Sequence, residues 1–296
     1  MRDAFLGYHP VVNLLFFASV ISFSMLLTHP LAQAISLVCA ILYGIVAEGR
    51  RSLLFLLKFC LPTVLVTAWI NPAFNHEGVT ILRYLESGNP LTLESILYGV
   101  GSGLLLVSVL LWFSAFSRVM TSDKFIYLFG RVLPSLSLIL SMALRFIPRF
   151  RSQLRTVTEA QRCIGRDVST GGPLKRLRIA VLILSIMITW SLENAIETAD
   201  SMKSRGYGLK GRSAYSIYRM DERDVYALVW LGFCTLFLVA GHMLSAFGFR
   251  YFPSIRYAAL DRTSLPFYAV YFGLCITPTV LTLVKERTWK TTVSRL

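Results

Sequence analysis

The residue best suited to bind an acidic partner is Arg205, within residues 201–210, which read Ser-Met-Lys-Ser-Arg-Gly-Tyr-Gly-Leu-Lys. An arginine stays protonated at physiological pH and can bind a carboxylate through two parallel hydrogen bonds. Gly206 and Gly208 suit the left-handed turn that closes a helix, where the helix dipole also favours cations. Arg205 is therefore either a solvated arginine at a helix end or an anchor for an acidic groove on another protein.

The sequence before Arg205 has the period of an amphipathic helix. One side is polar, with residues four apart: Ser185, Thr189, Glu193, Glu197, Ser201 and Arg205. The other side is an apolar stripe: Ile188, Leu192, Ala195, Ala199 and Met202. Because residues three and four apart share a helix face, we expect the stripe to lie against an apolar surface and the charges to face water.

The composition is that of a membrane protein, because 55% of the 296 residues are hydrophobic and only 16% are charged. The net charge of +14 could suggest a nucleic-acid partner, but the basic residues cluster between apolar runs, where they set membrane topology. The five cysteines form no CxxC pair and lie mostly in apolar runs. We therefore expect no disulfide framework, no metal site and no cofactor.

Six apolar stretches are long enough, at about 20 residues each, to cross a bilayer as helices. They are residues 11–27, 31–47, 53–70, 96–116, 225–244 and 265–284. The connection after the second stretch contains Arg50 and Arg51, whereas residues 71–95 contain Glu77, Glu86 and Glu94 against Arg83 alone. Basic connections stay in the cytoplasm, so we predict an all-α, multi-pass protein of the cell membrane with both termini cytoplasmic. The predicted division is residues 1–116 and 225–296 in the membrane and 117–224 inside.

The internal segment contains two shorter apolar runs, residues 132–148 and 179–192. If both crossed the bilayer, a basic cluster would be exported against the usual bias: Arg149, Arg151, Arg155, Arg162, Arg166, Lys175, Arg176 and Arg178. We therefore predict two long cytoplasmic amphipathic helices, about 134–165 and 174–205, joined by a loop rich in glycine and proline.

The first of these two helices has an apolar stripe of its own: Phe150, Leu154, Val157, Gln161 and Ile164. Two amphipathic helices joined by a short loop are expected to bury their stripes on each other. Their ends, near Gly165 and Gly206, would then form paired tips.

Several segments resemble a known family. They are Arg145-Phe146-Ile147-Pro148, Ala160-Gln161 with Gly165, Ala199-Asp200-Ser201-Met202-Lys203-Ser204-Arg205-Gly206-Tyr207-Gly208, and Phe74-Asn75-His76-Glu77-Gly78. Over nearly its whole length, with a large internal segment before the fifth span, the chain resembles the transmembrane T component of energy-coupling factor (ECF) transporters. That family includes cobalt-transport permeases.

The resemblance implies a non-catalytic scaffold subunit of an ABC-type importer for a vitamin or metal ion. Its implied partners are the lipid bilayer, two cytoplasmic ABC-type ATPase subunits and a small substrate-binding membrane subunit, with no nucleic acid. In that family two small-Arg-Gly motifs end two coupling helices, and each arginine docks into a groove of one ATPase.

The two motifs differ in this chain. Ser204, Arg205 and Gly206 match the family's pattern directly. The first motif reads Cys163-Ile164-Gly165, with isoleucine at the arginine's place and with Arg162 and Arg166 beside it. Either the first contact is apolar or a neighbouring arginine makes it.

The sequence offers little support for a self-sufficient enzyme or carrier. No GxxxxGK[ST] phosphate loop is present, so ATP must be hydrolysed elsewhere. A membrane-embedded lipid or prenyl transferase would need paired acidic residues, for which residues 221–224, Asp-Glu-Arg-Asp, are the candidates. A stand-alone carrier would need ionisable groups in the spans, where Lys58 and His242 are the candidates.

Three glycines in the fourth span, Gly99, Gly101 and Gly103, allow another helix to approach closely. That helix could belong to this chain or to the substrate-binding subunit, and the sequence does not separate the two.

Overall fold

Helices make up almost all of the secondary structure, as predicted. The computed structural model describes residues 4–84, 90–209, 218–244, 247–257 and 264–293. Its helices are α1 Pro10–Leu26, α2 Pro30–Glu48, α3 Arg50–Phe55, α4 Leu61–Phe74, α5 Leu93–Val119, α6 Ser122–Val132, α7 Pro134–Cys163, α8 Pro173–Ser204, α9 Glu222–Met243 and α10 Leu265–Val293. Two antiparallel hairpins lie in connections and pair β1 Ile81–Tyr84 with β2 Pro90–Thr92 and β3 Phe249–Arg250 with β4 Arg256–Tyr257.

Six helical segments within these described ranges are long and apolar enough to cross a membrane: Pro30–Glu48, Arg50–Phe74, Leu93–Val119, Pro173–Ser204, Glu222–Met243 and Leu265–Thr288. All but Pro173–Ser204 coincide with predicted spans. α1, the remaining predicted span, is apolar but has only 17 residues. α8 qualifies by length and composition although the charge pattern predicted it outside the membrane, so the side on which its ends lie stays a prediction.

The helix of the third predicted span is locally wider than an α-helix, which the hydrophobic periodicity of the sequence does not reveal. A π-helical turn at Leu56–Cys60 separates α3 from α4, and the N–H of Leu61 donates to the carbonyl of Leu56. The next residue, Pro62, has no N–H, and its ring would clash with the carbonyl of Lys58, four residues earlier. The wider turn accommodates this proline inside an otherwise continuous helix.

The chain divides into two compact units. Unit 1 comprises the residues up to Phe125 together with those from Tyr218 onward, and unit 2 comprises Ile126–Ile217. Unit 1 therefore contains α1 to α5, α9 and α10, whereas unit 2 contains α7, α8 and most of α6. α6, an 11-residue helix that carries the chain from one unit into the other, has no counterpart among the predicted helices.

Trp112 of α5 lies at the centre of unit 1 and is fully buried. The rings of Phe16 and Phe17 meet it edge-on, and Tyr43 stacks on it at 6.3 Å between centroids. The indole N–H of Trp112 donates to Ser36 Oγ at 3.0 Å. Because buried polar groups are stable only when they are hydrogen-bonded, this contact fixes how α5 packs on α2.

Candidate functional site

The C-terminal end of α7 is closed by a glycine in the left-handed region. Gly165 has φ +79°, and its N–H donates to the carbonyl of Arg162 at 2.9 Å. The N–H of Arg166 donates to the carbonyl of Gln161, also at 2.9 Å. These two bonds form a Schellman motif, which satisfies carbonyls that the helix itself leaves unpaired.

The end of α8 has the same geometry. Gly206 has φ +82°, its N–H donates to the carbonyl of Lys203 at 3.0 Å, and the N–H of Tyr207 donates to the carbonyl of Met202 at 3.0 Å. A left-handed glycine is required at both ends, because other residue types lose about 1–2 kcal/mol in that conformation.

Ile164 and Arg205 occupy equivalent positions in the two caps. Ile164 has φ −89° and ψ 9°, and Arg205 has φ −86° and ψ 8°. Both side chains are exposed, Ile164 to 69%. The motifs Cys163-Ile164-Gly165 and Ser204-Arg205-Gly206 therefore have the same backbone geometry. Isoleucine occupies the position of the arginine in the first of them.

The two arginines beside Ile164 differ in their surroundings. Arg162 Nε lies 3.3 Å from Asp167 Oδ2. The pKa of Asp167 is lowered, first by the hydrogen bond from the backbone N–H of Ser169, at 2.9 Å, and also by the charge of Arg162. Arg166 is exposed and follows the capping glycine. Arg162 is thus engaged within the loop, and Arg166 is the neighbour with more freedom to reach a partner.

The two long helices pack on each other, as predicted, through a small apolar core. Ile179, Ile183 and Met187 of α8 are buried against Phe150 and Val157 of α7. The rings of Phe146 and Trp190 stack at 5.5 Å between centroids. On the α7 side the predicted stripe is confirmed at Phe150, Val157 and Gln161, which are partly buried, whereas Leu154 and Ile164 are exposed.

The predicted stripe on α8 is wrong as the face that packs within the chain. Ile188 and Leu192 are 52% and 61% exposed, and Ala195 and Ala199 are also exposed. The buried face instead follows Ile179, Ile183, Met187, Trp190 and Asn194. Between Ile179 and Leu192, α8 has no charged residue and is apolar on more than one side, so periodicity alone does not choose between its two apolar faces. The predicted polar side, from Ser185 to Arg205, is exposed as expected.

The glycines of α5 are buried by this chain itself. A Cβ added at Gly99 would lie 3.1 Å from Ala68 Cα, and one added at Gly103 would lie 3.1 Å from Val64 Cα, both on α4. A Cβ added at Gly101 would collide with Tyr251. Of the two alternatives left by the sequence, packing within the chain is the one that the structure favours for Gly99, Gly101 and Gly103.

The acidic residues at 221–224 act as a helix cap. Asp221 and Asp224 form a capping box at the start of α9, and Arg223 pairs with Asp221 at 2.9 Å. Among the described residues, no group of three or more His, Cys, Asp or Glu side chains could hold a metal ion. Lys58 and His242, the two ionisable candidates in the spans, are both exposed and lie on different helical segments. The described residues therefore give no specific support to a membrane-embedded transferase or a stand-alone carrier.

Apolar helices in unit 1 and an amphipathic helix pair in unit 2 define a multi-pass membrane protein whose exposed functional candidates lie at helix ends. The model of the CbiQ family of cobalt transport proteins matches residues 7–215, most of the sequence. The chain therefore belongs to the CbiQ family.

Curated relatives carry the name that the sequence resemblance implied. The chain is 35% identical over 96 residues to the energy-coupling factor transporter transmembrane protein EcfT of Lactobacillus helveticus. The aligned region covers 32% of this chain and 35% of that protein. It is 40% identical over 94 residues to EcfT of Bacillus selenitireducens, covering 31% and 35% of the two chains. For EcfT of Leuconostoc gelidum the identity is 32% over 112 residues, covering 37% and 42%. The matched region thus spans 35–42% of the length of these relatives, and the predicted resemblance is confirmed.

Proposed function

We propose that this protein is the transmembrane scaffold subunit of an ECF-type ABC importer. It couples ATP hydrolysis by two cytoplasmic partner ATPases to a separate, small substrate-binding membrane subunit that takes up a vitamin or a metal ion. The observation that carries the proposal is the pair of matching caps, which present Ile164 and Arg205 at opposite ends of two antiparallel, packed helices. Membership of the CbiQ family and the EcfT relatives support it.

The helices α7 and α8 suit the transmission of movement. At about 1.5 Å per residue, each is roughly 45 Å long. Their mutual core at Ile183, Met187 and Phe150 keeps them from sliding independently. A load applied at either cap therefore displaces the pair as a body.

The two tips would bind different surfaces. Arg205 offers a permanent charge and several N–H donors to an acidic groove, whereas Ile164 offers an exposed apolar side chain to an apolar pocket. We assign the first contact to Ile164, because it has the cap position that Arg205 has on α8, whereas Arg162 pairs with Asp167 and Arg166 lies beyond the capping glycine. Because the tips differ chemically, two different ATPases fit this subunit better than two identical ones.

The exposed apolar face of α8 supports a partner in or at the membrane. Leu177, Leu184, Ile188, Leu192 and Ile196 are each more than half exposed and share one side of the helix. Large exposed apolar patches mark protein or membrane contacts. We assign this face, rather than the buried glycines of α5, to the substrate-binding subunit and the adjoining bilayer.

The proposal is tested by reversing the charge of Arg205. If Arg205 binds a desolvated carboxylate, Arg205→Glu should weaken ATPase binding by about 3–5 kcal/mol, which is more than a hundredfold in Kd. Copurification of ATPases from the native membrane and substrate uptake should both be lost, while the protein still inserts. Arg151→Glu makes the same charge change at an exposed site in the middle of α7, away from both caps, and should leave both unchanged. Normal ATPase binding by Arg205→Glu would refute the assignment.

A further inference from the structure

The N-terminal segment of the chain contacts residues close to both places where the chain passes between unit 1 and unit 2. The chain leaves unit 1 after Phe125, in the first turns of α6, and returns to it at Tyr218. Residues 4–13, which we call the N-terminal segment, bond to the chain just before the first connection and just after the second. Since all of these residues belong to unit 1, the contacts are internal to that unit.

The first of these contacts is made by Lys124, which is only 3% exposed. Its Nζ donates to the carbonyl of Leu6 at 2.9 Å. The amide of Asn13 fits its neighbours best with its oxygen 2.6 Å from Lys124 Nζ and its nitrogen 3.1 Å from the carbonyl of Phe5. An ammonium group buried in this way is held by oxygens of the N-terminal segment, which fixes the first turn of α6 on it.

The second contact is made by Asp224, which is 4% exposed. Its Oδ1 accepts from the backbone N–H of His9 at 2.9 Å, and its Oδ2 accepts from the N–H of Asp221 at 3.0 Å. Tyr218, where the chain returns to unit 1, lies close to Thr121, which directly precedes α6. The returning chain is thus bonded to the N-terminal segment and lies beside the start of the outgoing helix.

A simple stabilising role does not require charged groups at these two places, because burying a charge is costly and apolar side chains would fill the same space. The directional hydrogen bonds of Lys124 and Asp224 also fix the positions of these residues relative to the N-terminal segment. A lever that transmits movement needs a base of fixed orientation, and the chain passes between unit 1 and unit 2 at these two places.

We propose that Lys124 and Asp224 are positioning residues that hold the chain on either side of unit 2 to the N-terminal segment, so that movement of the α7 and α8 tips reaches the membrane-spanning helices. This inference rests on the proposed function. The N-terminal segment is accordingly part of the coupling device, although it lies far along the chain from Arg205.

The coupling test uses the full complex, with ATPases and substrate-binding subunit, reconstituted in vesicles. Lys124→Met keeps the side-chain stem without the ammonium, and Asp224→Asn keeps the shape without the charge. We expect both variants to assemble with normal amounts of ATPase and to hydrolyse ATP, while uptake per ATP hydrolysed falls at least fivefold. Lys124→Arg should restore part of the ratio, and Lys175→Met, at an exposed lysine on α8, should not change it.

A second measurement does not depend on the function of the complex. In the purified protein alone, hydrogen exchange at residues 4–13 should be slow in the wild type and faster in Lys124→Met, with α2 and α10 unaffected. Fast exchange of this segment in the wild type would overturn the inference, as would an unchanged uptake ratio in both variants or losses that only follow the amount of assembled complex. Failure of the wild type to bind any ATPase would instead overturn the proposed function, so the two failures are distinguishable.

Discussion

Ile164 and Arg205 hold the same backbone position in two caps, yet they offer a partner opposite chemistry. Both follow the last residue of a long helix, and both precede a glycine with φ near +80°. Arginine forms directional bonds to a carboxylate, whereas isoleucine contributes only through the removal of apolar surface from water. We therefore assign a polar contact with one ATPase to Arg205 and an apolar contact with the other to Ile164.

This assignment predicts unequal effects of substitution at the first tip. Burial of an isoleucine side chain is worth about 1.5–3 kcal/mol, so Ile164→Ala should weaken ATPase binding by about 1–2 kcal/mol. Arg166→Ala, at the exposed arginine two residues on, should change binding by less than about 0.5 kcal/mol. Titration of the soluble ATPases against the detergent-solubilised protein measures both. The reverse order of effects would show that a neighbouring arginine makes the contact in place of Ile164.

At the scale of the elements, the contact between α4 and α5 depends on small residues. The backbones approach so closely at Gly99 that an added Cβ would lie 3.0 Å from Asn71 Cβ and 3.1 Å from Thr67 O. Gly99→Ala should therefore destabilise unit 1 by about 1–3 kcal/mol, because a packed backbone cannot move aside cheaply.

The measurement is thermal unfolding in detergent, with Gly232→Ala on α9 as the control. A Cβ at Gly232 meets no atom of the described residues within 4 Å, so this variant should keep or slightly raise the unfolding temperature through its better helix propensity. Equal stability of the two variants would mean that α4 and α5 are not in close contact in the membrane.

The helix ends of unit 2 were predictable, but the buried face of α8 was not. Pro134 and Pro173 mark where α7 and α8 begin, and Gly165 and Gly206 mark where they end, because each residue type suits that position for a local reason. The buried face of α8 depends on which apolar side meets Phe150, and this is a property of the fold. The roles of Lys124 and Asp224 were equally hidden, since their partners at Leu6 and His9 are more than a hundred residues away.

For the molecule as a whole, docking to cytoplasmic ATPases requires the tips of α7 and α8 to lie on the cytoplasmic side. Length and composition alone would allow α8 to cross the membrane, and only the basic residues around the tip of α7 argue against it. Cys163 provides a natural reporter, because it is exposed beside Ile164 while Cys39, Cys60, Cys234 and Cys275 are buried.

Labelling of Cys163 with a membrane-impermeant maleimide measures on which side of the membrane the tip of α7 lies, and Cys163→Ser identifies the labelled site. We expect labelling in inside-out vesicles, none from outside intact cells, and slower labelling once the ATPases are bound to the tips. Labelling from outside, or a rate that bound ATPases do not change, would refute the coupling role proposed for these tips.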